Sequence, residues 1–355
     1  MTVANGDPRV SDSVIRSTSS EIERVVLAHG GGGELTGRLI AERIIPSLAN
    51  ETLSTLDDSA IVAWRDDHVV FTTDSYVVTP LEFPGGDIGT LAVSGTVNDL
   101  AVMGAEPIAL SLGLIMEEGL PLTTLDRIVS SISRMAKRAG VHVVTGDTKV
   151  IERRTGEGLF INTAGIGRRL QGARPDLSRV APGDVVLVSG LLAEHGLTIM
   201  SVRAGIEFDT SLKSDATPLN HMIRRLVSSG ADIKFMRDAT RGGVAGVLAD
   251  VSERCGATVE IDEDLLPISV GAQYAADMLG LDPLTIANEA KVVCVVGASD
   301  ADKVCGLMRE CEEGRHAAII GRVVDRSPGL VELRTTAGGV RIVQRPYGEE
   351  LPRIC

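Results

Sequence analysis

Between Ile88 and Met103 the chain reads as one long helix, with Asp87 placed to cap its start. From Leu91 onward that helix is apolar except for small residues and one pair, Asn98-Asp99. A carboxylate among such neighbours is costly unless it is paired or metal-bound. The fold must therefore supply an interior with a polar partner for Asp99. That interior has little aromatic mass: hydrophobic residues reach 44% of the chain, but Phe, Trp and Tyr only 3%. Val, Ile, Leu and Ala have to build the core, which suits layers of strands and helices. The same scarcity argues against surfaces that stack bases or sugars.

At 355 residues the chain is long enough for two domains with separate cores. A net charge of -13 speaks against nucleic acid or an anionic membrane as partner. An acidic protein still binds ATP where backbone N–H groups, a few cations and Mg²⁺ meet the phosphates. No apolar run approaches the ~20 residues of a membrane span. Residues 1–20 are polar and rich in Ser and Thr, and are expected to form a disordered extension. The five cysteines (255, 294, 305, 311 and 355) are odd in number and contain no C-x-x-C, which fits a reducing, cytoplasmic setting. Cys294 falls in the strand-like run Val292–Val296. Cys305 and Cys311 read as part of an amphipathic helix rather than a metal site with His316.

The expected fold class is α+β, mixed rather than strictly alternating. A first domain spans 21–170 and opens with a helix over Glu34–Leu48. Ile61–Trp64 and His68–Thr73 read as a hairpin, Pro107–Met116 as an apolar strand, and further strands lie at 141–145 and 159–166. Thr123-Thr124-Leu125-Asp126 resembles a capping box, and Gly140 stops the helix that follows. The polar stretch Gln171–Gly183 marks the boundary to a second α/β domain, 171–343. Its strands are expected at 184–189, 257–262, 291–297, 316–324 and 330–343, and its helices near 193–204, 218–229, 243–255 and 300–312. Residues 344–355 form a tail in which Pro346, Gly348 and Pro352 oppose a stable helix or central strand. That tail is expected to be mobile, and it ends in a thiol, Cys355.

Several short motifs carry chemistry. His29-Gly30-Gly31-Gly32-Gly33 precedes a helix, so its backbone can approach an anion closely; it matches neither a Walker A nor a G-x-G-x-x-G pattern. Asp57-Asp58, Thr72-Thr73-Asp74-Ser75 and Asn98-Asp99 bring carboxylates from separate elements, the hard oxygen ligands that Mg²⁺ with a polyphosphate requires. Each Asp alone is equally compatible with a solvated loop or a cap. Thr145-Gly146-Asp147-Thr148-Lys149 places a lysine within reach of a phosphate or a developing anion. Arg237-Asp238-Ala239-Thr240-Arg241-Gly242-Gly243 again sets glycine before a helix. In Ile286-Ala287-Asn288-Glu289-Ala290-Lys291 a Glu between apolar flanks is suited to a raised pKa and a base role.

In chain order these motifs, closed by Pro352-Arg353-Ile354-Cys355, resemble the HypE family. Its members are carbamoyl dehydratases of nickel–iron hydrogenase maturation, in the aminoimidazole-ribonucleotide-synthetase-like ATP-binding superfamily. The resemblance covers residues 21–355, and the Pro-Arg-Ile-Cys end selects this family within the superfamily. Glu34 departs from it, since a basic or small residue is expected after the glycine tract. The resemblance implies two mixed α/β domains, ATP and Mg²⁺ as cofactors, and a homodimer formed through the first domain's sheet. It also implies a carbamoyltransferase partner, HypF, which loads Cys355 as an S-carboxamide. ATP-dependent dehydration then gives an S-cyanide for iron on a HypC–HypD scaffold. By similarity, Asp58, Asp74, Asp99 and Asp238 serve Mg²⁺ and phosphate. Gly31, Gly32, Gly33, Asn98, Gly146, Asp147 and Thr148 face the nucleotide. Lys149 stabilises charge on the amide oxygen and phosphate, and Glu289 removes amide protons. Two readings compete: a superfamily ligase or kinase with a small-molecule acceptor (selenophosphate or thiamine-phosphate type), which has no need of Cys355, and a nucleotide-sensing scaffold without turnover.

Overall fold

The computed structural model describes residues 33–44, 50, 57–64, 67–152, 158–206, 212–327, 329–348 and 354. The segment 1–20, Gly31, Gly32 and Cys355 lie outside the described residues. A short helix α1 (Glu34–Leu39) widens into a π turn over Ile40–Ile44. The first sheet uses β1 (Ala60–Trp64) and β2 (Asp67–Tyr76) as a hairpin. A small ribbon, β3 (Glu82–Phe83) and β4 (Gly86–Asp87), leads into α2 (Ile88–Val102). Then come β5 (Ala105–Glu117), α3 (Leu122–Ala139), β6 (His142–Ile151) and β7 (Leu159–Arg169). The strand order is β1-β2-β7-β5-β6; β5 and β6 are parallel, as the α3 crossover between them requires.

The second sheet follows a linker. It contains β8 (Val185–Val188), α4 (Glu194–Arg203), α5 (Asn220–Ser228), β9 (Ile233–Asp238), α6 (Gly243–Cys255) and β10 (Thr258–Asp262). It continues with α7 (Val270–Leu279), β11 (Val292–Val296), α8 (Ala301–Arg309), β12 (Ala318–Val324), β13 (Val331–Arg334) and β14 (Val340–Ile342). The order is β14-β13-β10-β12-β8-β11-β9. β11 is buried throughout because both faces of this sheet are covered. Val293 and Val295 enter the core with Leu248, while Val292, Cys294 and Val296 enter the core with Met222 and Met308. That is why its sequence is a continuous apolar run rather than an alternation.

α2 is the seam. It lies on the first sheet against β2, β5 and β7, and its other side meets α5 and β9 of the second unit. A helix packed on both sides has no solvent stripe, which accounts for its apolar sequence. Its N-cap is Asp87, whose Oδ1 accepts from the Thr90 N–H at 2.8 Å. The opposite face of the first sheet is uncovered. Val62, Phe71, Ile115 and Ile166 are exposed on it, and the edge strand β6 is exposed along its whole length.

Local expectations fail where tertiary pairing decides. The supposed capping box lies inside α3, whose N-cap is Pro121; the Pro121 carbonyl accepts from Thr124 and Leu125 N–H. Gly140, at φ 71°, does end that helix. The strand expected at 141–145 runs on to Ile151, because β5 continues to pair with it as far as Glu117. The Gly-Asp-Thr-Lys motif is therefore mid-strand, not a turn at a strand end. Strand β9 and helix α7 have no counterpart among the expected elements. The strand expected over 330–343 is a hairpin, β13–β14, turning at Thr335–Gly339.

The tail is docked where it is described. Pro346 and Tyr347 carbonyls accept from the Glu34 and Leu35 N–H groups at 3.0 and 3.1 Å. Arg345 pairs with Asp250. Ile354 bridges to Val78 and is 3% exposed. These contacts explain Gly33 differently from an anion loop: a Cβ there would stand 2.2 Å from the Pro346 oxygen. The first N–H groups of α1, expected to face a phosphate, are taken by the tail.

Candidate active site

The site is built at the seam, on the side of the first sheet that α2 covers. Alternation along β2 sends Thr72, Asp74 and Tyr76 to that side. Thr72 Oγ1 lies 2.9 Å from Asp99 Oδ2 and 3.0 Å from the Asp58 carbonyl, so one hydroxyl proton serves two acceptors. Asp58 pairs with Arg237 Nε at 3.1 Å, and Arg237 Nη1 also holds Asp250 at 2.7 Å. Asp238 is buried at the end of β9. Burial drives the Asp99 carboxyl well above its ordinary range, and the charges of Asp238, Asp58 and Asp74 push it further. Asp238 is raised likewise, by burial and then by Asp58, against the opposing pull of Arg237. Burial also raises Asp58, although Arg237 offsets part of the effect. The charges of Asp58, Asp74, Asp99 and Asp238 thus bear on one another, with Arg237 as the cation paired to Asp58, so the group is short of positive charge.

Glu289 stands on the loop from α7 to β11, 1% exposed. Its backbone is held from both units. The Asn98 Nδ2 donates to the Glu289 carbonyl at 3.2 Å, and the Glu289 N–H donates to Asp215 at 3.2 Å. Asn98 is fully engaged in this way, since it also bonds the Thr217 carbonyl and the Leu219 N–H. These bonds clamp the seam. The Glu289 side chain has the opposite status: Oε1 is buried with no hydrogen-bond partner. Burial first, then the charges of Asp215, Asp238 and Asp74, raise its carboxyl well above the ordinary value. Burial pushes Asp215 up, but the charge of Lys291, its bond at 2.7 Å, the charge of His195 and the Glu289 N–H together hold it below the usual range.

Asp147 and Lys149 are elsewhere. Asp147 pairs in register with Gly113, Gly113 with Asn162, and Asn162 with Ser75. That row is on the uncovered face, opposite Asp74 and Thr72. Lys149 shares Asp147's face of the edge strand, binds it at 2.6 Å and is exposed. Gly146 and Thr148 alternate onto the other face of the same strand. Within this chain the structure brings Asp58, Asp74, Asp99, Asp238 and Glu289 to one side of the sheet, and leaves Asp147 and Lys149 on the other. Sequence reasoning missed His195, Ser214 and Asp215, and it quoted Arg237 and Lys291 within motifs without giving either a role. Asp215 and Lys291 are 76 residues apart, so no spacing signals their pairing.

Among the described residues no three His, Cys, Asp or Glu side chains converge into a ready-made metal site.

Comparison with known proteins gives this arrangement a family. Models of AIR synthase related proteins match twice, the N-terminal domain over residues 56–169 and the C-terminal domain over 181–332. The carbamoyl dehydratase HypE of Cupriavidus necator is 42% identical over 333 residues, 94% of this chain and 95% of that one. The chain belongs to the HypE family. A crystal structure of HypE in complex with ATP has 41% identity and a TM-score of 0.79, covering 94% of this chain and all of that one. A structure of a HypE–HypF complex has 44% identity and a TM-score of 0.82, covering 87% and 99%. The two domain matches meet the two sheets described above, and the seam between them holds the acidic cluster. No helix among the described residues is long and apolar enough to cross a membrane.

Proposed function

We infer that this chain is an ATP-dependent carbamoyl dehydratase acting on its own C-terminal Cys355. The observation that carries the reading is Glu289: a buried carboxyl whose Oε1 has no hydrogen-bond partner and lies 3.7 Å from His195 Nε2, the nitrogen that holds Ile354 of the tail. The carboxamide oxygen attacks the γ-phosphoryl group of ATP, and ADP leaves. An amide oxygen is a poor leaving group, and phosphorylation makes it a good one. The carbamoyl nitrogen gives up its two protons, carbon–nitrogen bonding becomes triple, and phosphate departs with the former amide oxygen. Glu289 takes a proton from the nitrogen, a task suited to a base with a raised pKa. Asp58, Asp74, Asp99 and Asp238 are the groups that fit Mg²⁺ travelling with ATP; the ion would supply the positive charge this cluster lacks and offset charge on the phosphates. Residues 21–170 and 171–343 serve as the two domains, and the tail from 344 carries the thiol between a HypF-type carbamoyltransferase and this site. Delivery to a HypC–HypD scaffold in the cytoplasm completes the route.

The test is direct. Full-length protein is loaded with a carbamoyltransferase and carbamoyl phosphate, then given Mg²⁺–ATP, and the C-terminal peptide is weighed. The adduct on Cys355 is expected to lose the mass of one water only when ATP is present. ATP hydrolysis with an unchanged adduct would overturn the reading.

We further propose that a second copy covers the exposed face of the first sheet. An uncovered apolar face beside a fully exposed edge strand invites such pairing. Lys149 and Asp147 would then reach the site of the other copy. Lys149→Ala and Glu289→Gln proteins, each inactive, are mixed and allowed to exchange subunits. Trans-complementation is expected to restore roughly a quarter of wild-type activity, because half the dimers then carry one intact site. No recovery after demonstrated exchange would overturn the pairing of Lys149 from one copy with Glu289 of the other.

A further inference from the structure

His195 is the second residue of α4 and is wholly buried. Three contacts fix its ring. The Phe83 ring meets it edge-on, with centroids 5.6 Å apart and planes at 79°. Ser214 Oγ lies 2.8 Å from Nδ1, and the Ile354 carbonyl oxygen lies 2.6 Å from Nε2. The tautomer follows from the partners. A carbonyl only accepts, so Nε2 carries the proton and donates to Ile354. Ser214 Oγ accepts from the Ala216 N–H, so its own proton is available to Nδ1. With both ring nitrogens engaged, the imidazole presents its Nε2–H to the Ile354 carbonyl and is already oriented by its neighbours.

Ile354 is gripped at a second point. It bridges antiparallel to Val78 and joins the apolar cluster that includes Val78, Phe83, Ala193, Leu197 and Ile286. The tail is thus recognised by a main-chain oxygen and an aliphatic side chain one residue before the thiol. Cys355 is the next residue in the sequence. Glu289 Oε1 is the other group beside Nε2. We propose that His195 is the positioning residue of the dehydration, holding the Ile354 carbonyl so that the modified thiol is presented to Glu289. This inference rests on the dehydratase reading for its chemistry, but tail holding can be measured without turnover. A rigid donor that holds the Ile354 carbonyl anchors the chain just before the thiol, and correct placement of a reacting group is worth orders of magnitude in rate.

Carbamoyl-loaded full-length protein and its His195→Leu and His195→Gln variants are given Mg²⁺–ATP, and the S–C≡N infrared band is followed in a single turnover. Gln keeps an N–H donor near the Nε2 position; Leu keeps bulk and has none. Leu is expected to slow the band's appearance about 100-fold, within the range that misplacement produces. Loading of Cys355 and ATP affinity should be unchanged, and Gln should recover most of the rate. A wild-type rate for Leu, or a folded Gln variant as slow as Leu, would overturn the proposal. Should Leu fail to fold, nitrogen-15 NMR of histidine in the wild-type protein decides. Deleting residues 349–355 should shift the His195 Nε2 resonance and expose its proton to exchange. An unmoved resonance would refute the contact. A wild-type protein that yields no nitrile, yet shows this shift, would sink the dehydratase reading and leave His195 as a tail-binding group.

Discussion

Glu289→Gln protein is expected to accept the carbamoyl group, bind ATP and then stall, with nitrile formation slowed about 10³-fold. The substitution is nearly isosteric and removes only the capacity to accept a proton. It leaves the scaffold intact, since the loop is held through the Glu289 backbone by Asn98 and Asp215, not through the side chain. Burial and the surrounding carboxylates raise the Glu289 pKa well above the ordinary carboxylate range. A base works only when deprotonated, so the wild-type single-turnover rate should climb as pH rises through that raised pKa. The climb should be missing from whatever slow reaction the Gln variant retains. Infrared detection of the nitrile across a pH series measures both effects. Full-rate nitrile formation by Glu289→Gln would transfer the base role to another group.

Local chemistry was legible in the sequence, and long-range geometry was not. Asp87 as a cap and Gly140 as a stop depend on residues three or four positions away, and both were readable. Asp99 stood out because its neighbours are apolar; it is half-buried and bonded to Thr72, and the charges of Asp238, Asp58 and Asp74 bear on it. The HypE resemblance was readable from motif order. The face on which Lys149 lies was not, because it depends on how far β6 pairs with β5 and on the parity that pairing imposes. His195 escaped notice for a related reason: its partners are Ser214, Phe83 and Ile354, brought together from three separate stretches. Gly33 was read as an anion loop, although what requires glycine there is the backbone of Pro346, far along the chain. Strand β9 carries Lys234 and Arg237 and is the last strand of its sheet, so its polar residues masked it.

Asp99→Asn should separate stability from catalysis. Mg²⁺-dependent ATP turnover is expected to fall by about 10²–10³-fold, the loss typical when one preorganised charge-stabilising group is removed. The nucleotide-free protein, in contrast, should become more stable at neutral and higher pH. The Asp99 carboxyl is raised well above its ordinary value by burial and by Asp238, Asp58 and Asp74. For an acid whose folded pKa is raised, the folded form holds its proton more tightly than the unfolded chain. The stability this contributes is complete below the ordinary carboxylate pKa and is lost as pH rises through the folded one. Asn never ionises, and its Oδ1 can still accept from Thr72, which lies 2.9 Å from Asp99 in the native protein. The variant's melting temperature should therefore exceed that of wild type by a few degrees at pH 7–8, and the difference should shrink as pH falls toward 4. Mg²⁺–ATP should reverse the order. A cation that binds the ionised cluster stabilises wild type by mass action and gives the variant much less. Thermal unfolding across pH, with and without Mg²⁺–ATP, checks every part of this. A destabilised nucleotide-free variant with normal turnover would identify Asp99 as a structural carboxylate held by Thr72, and would assign the cation to the remaining three.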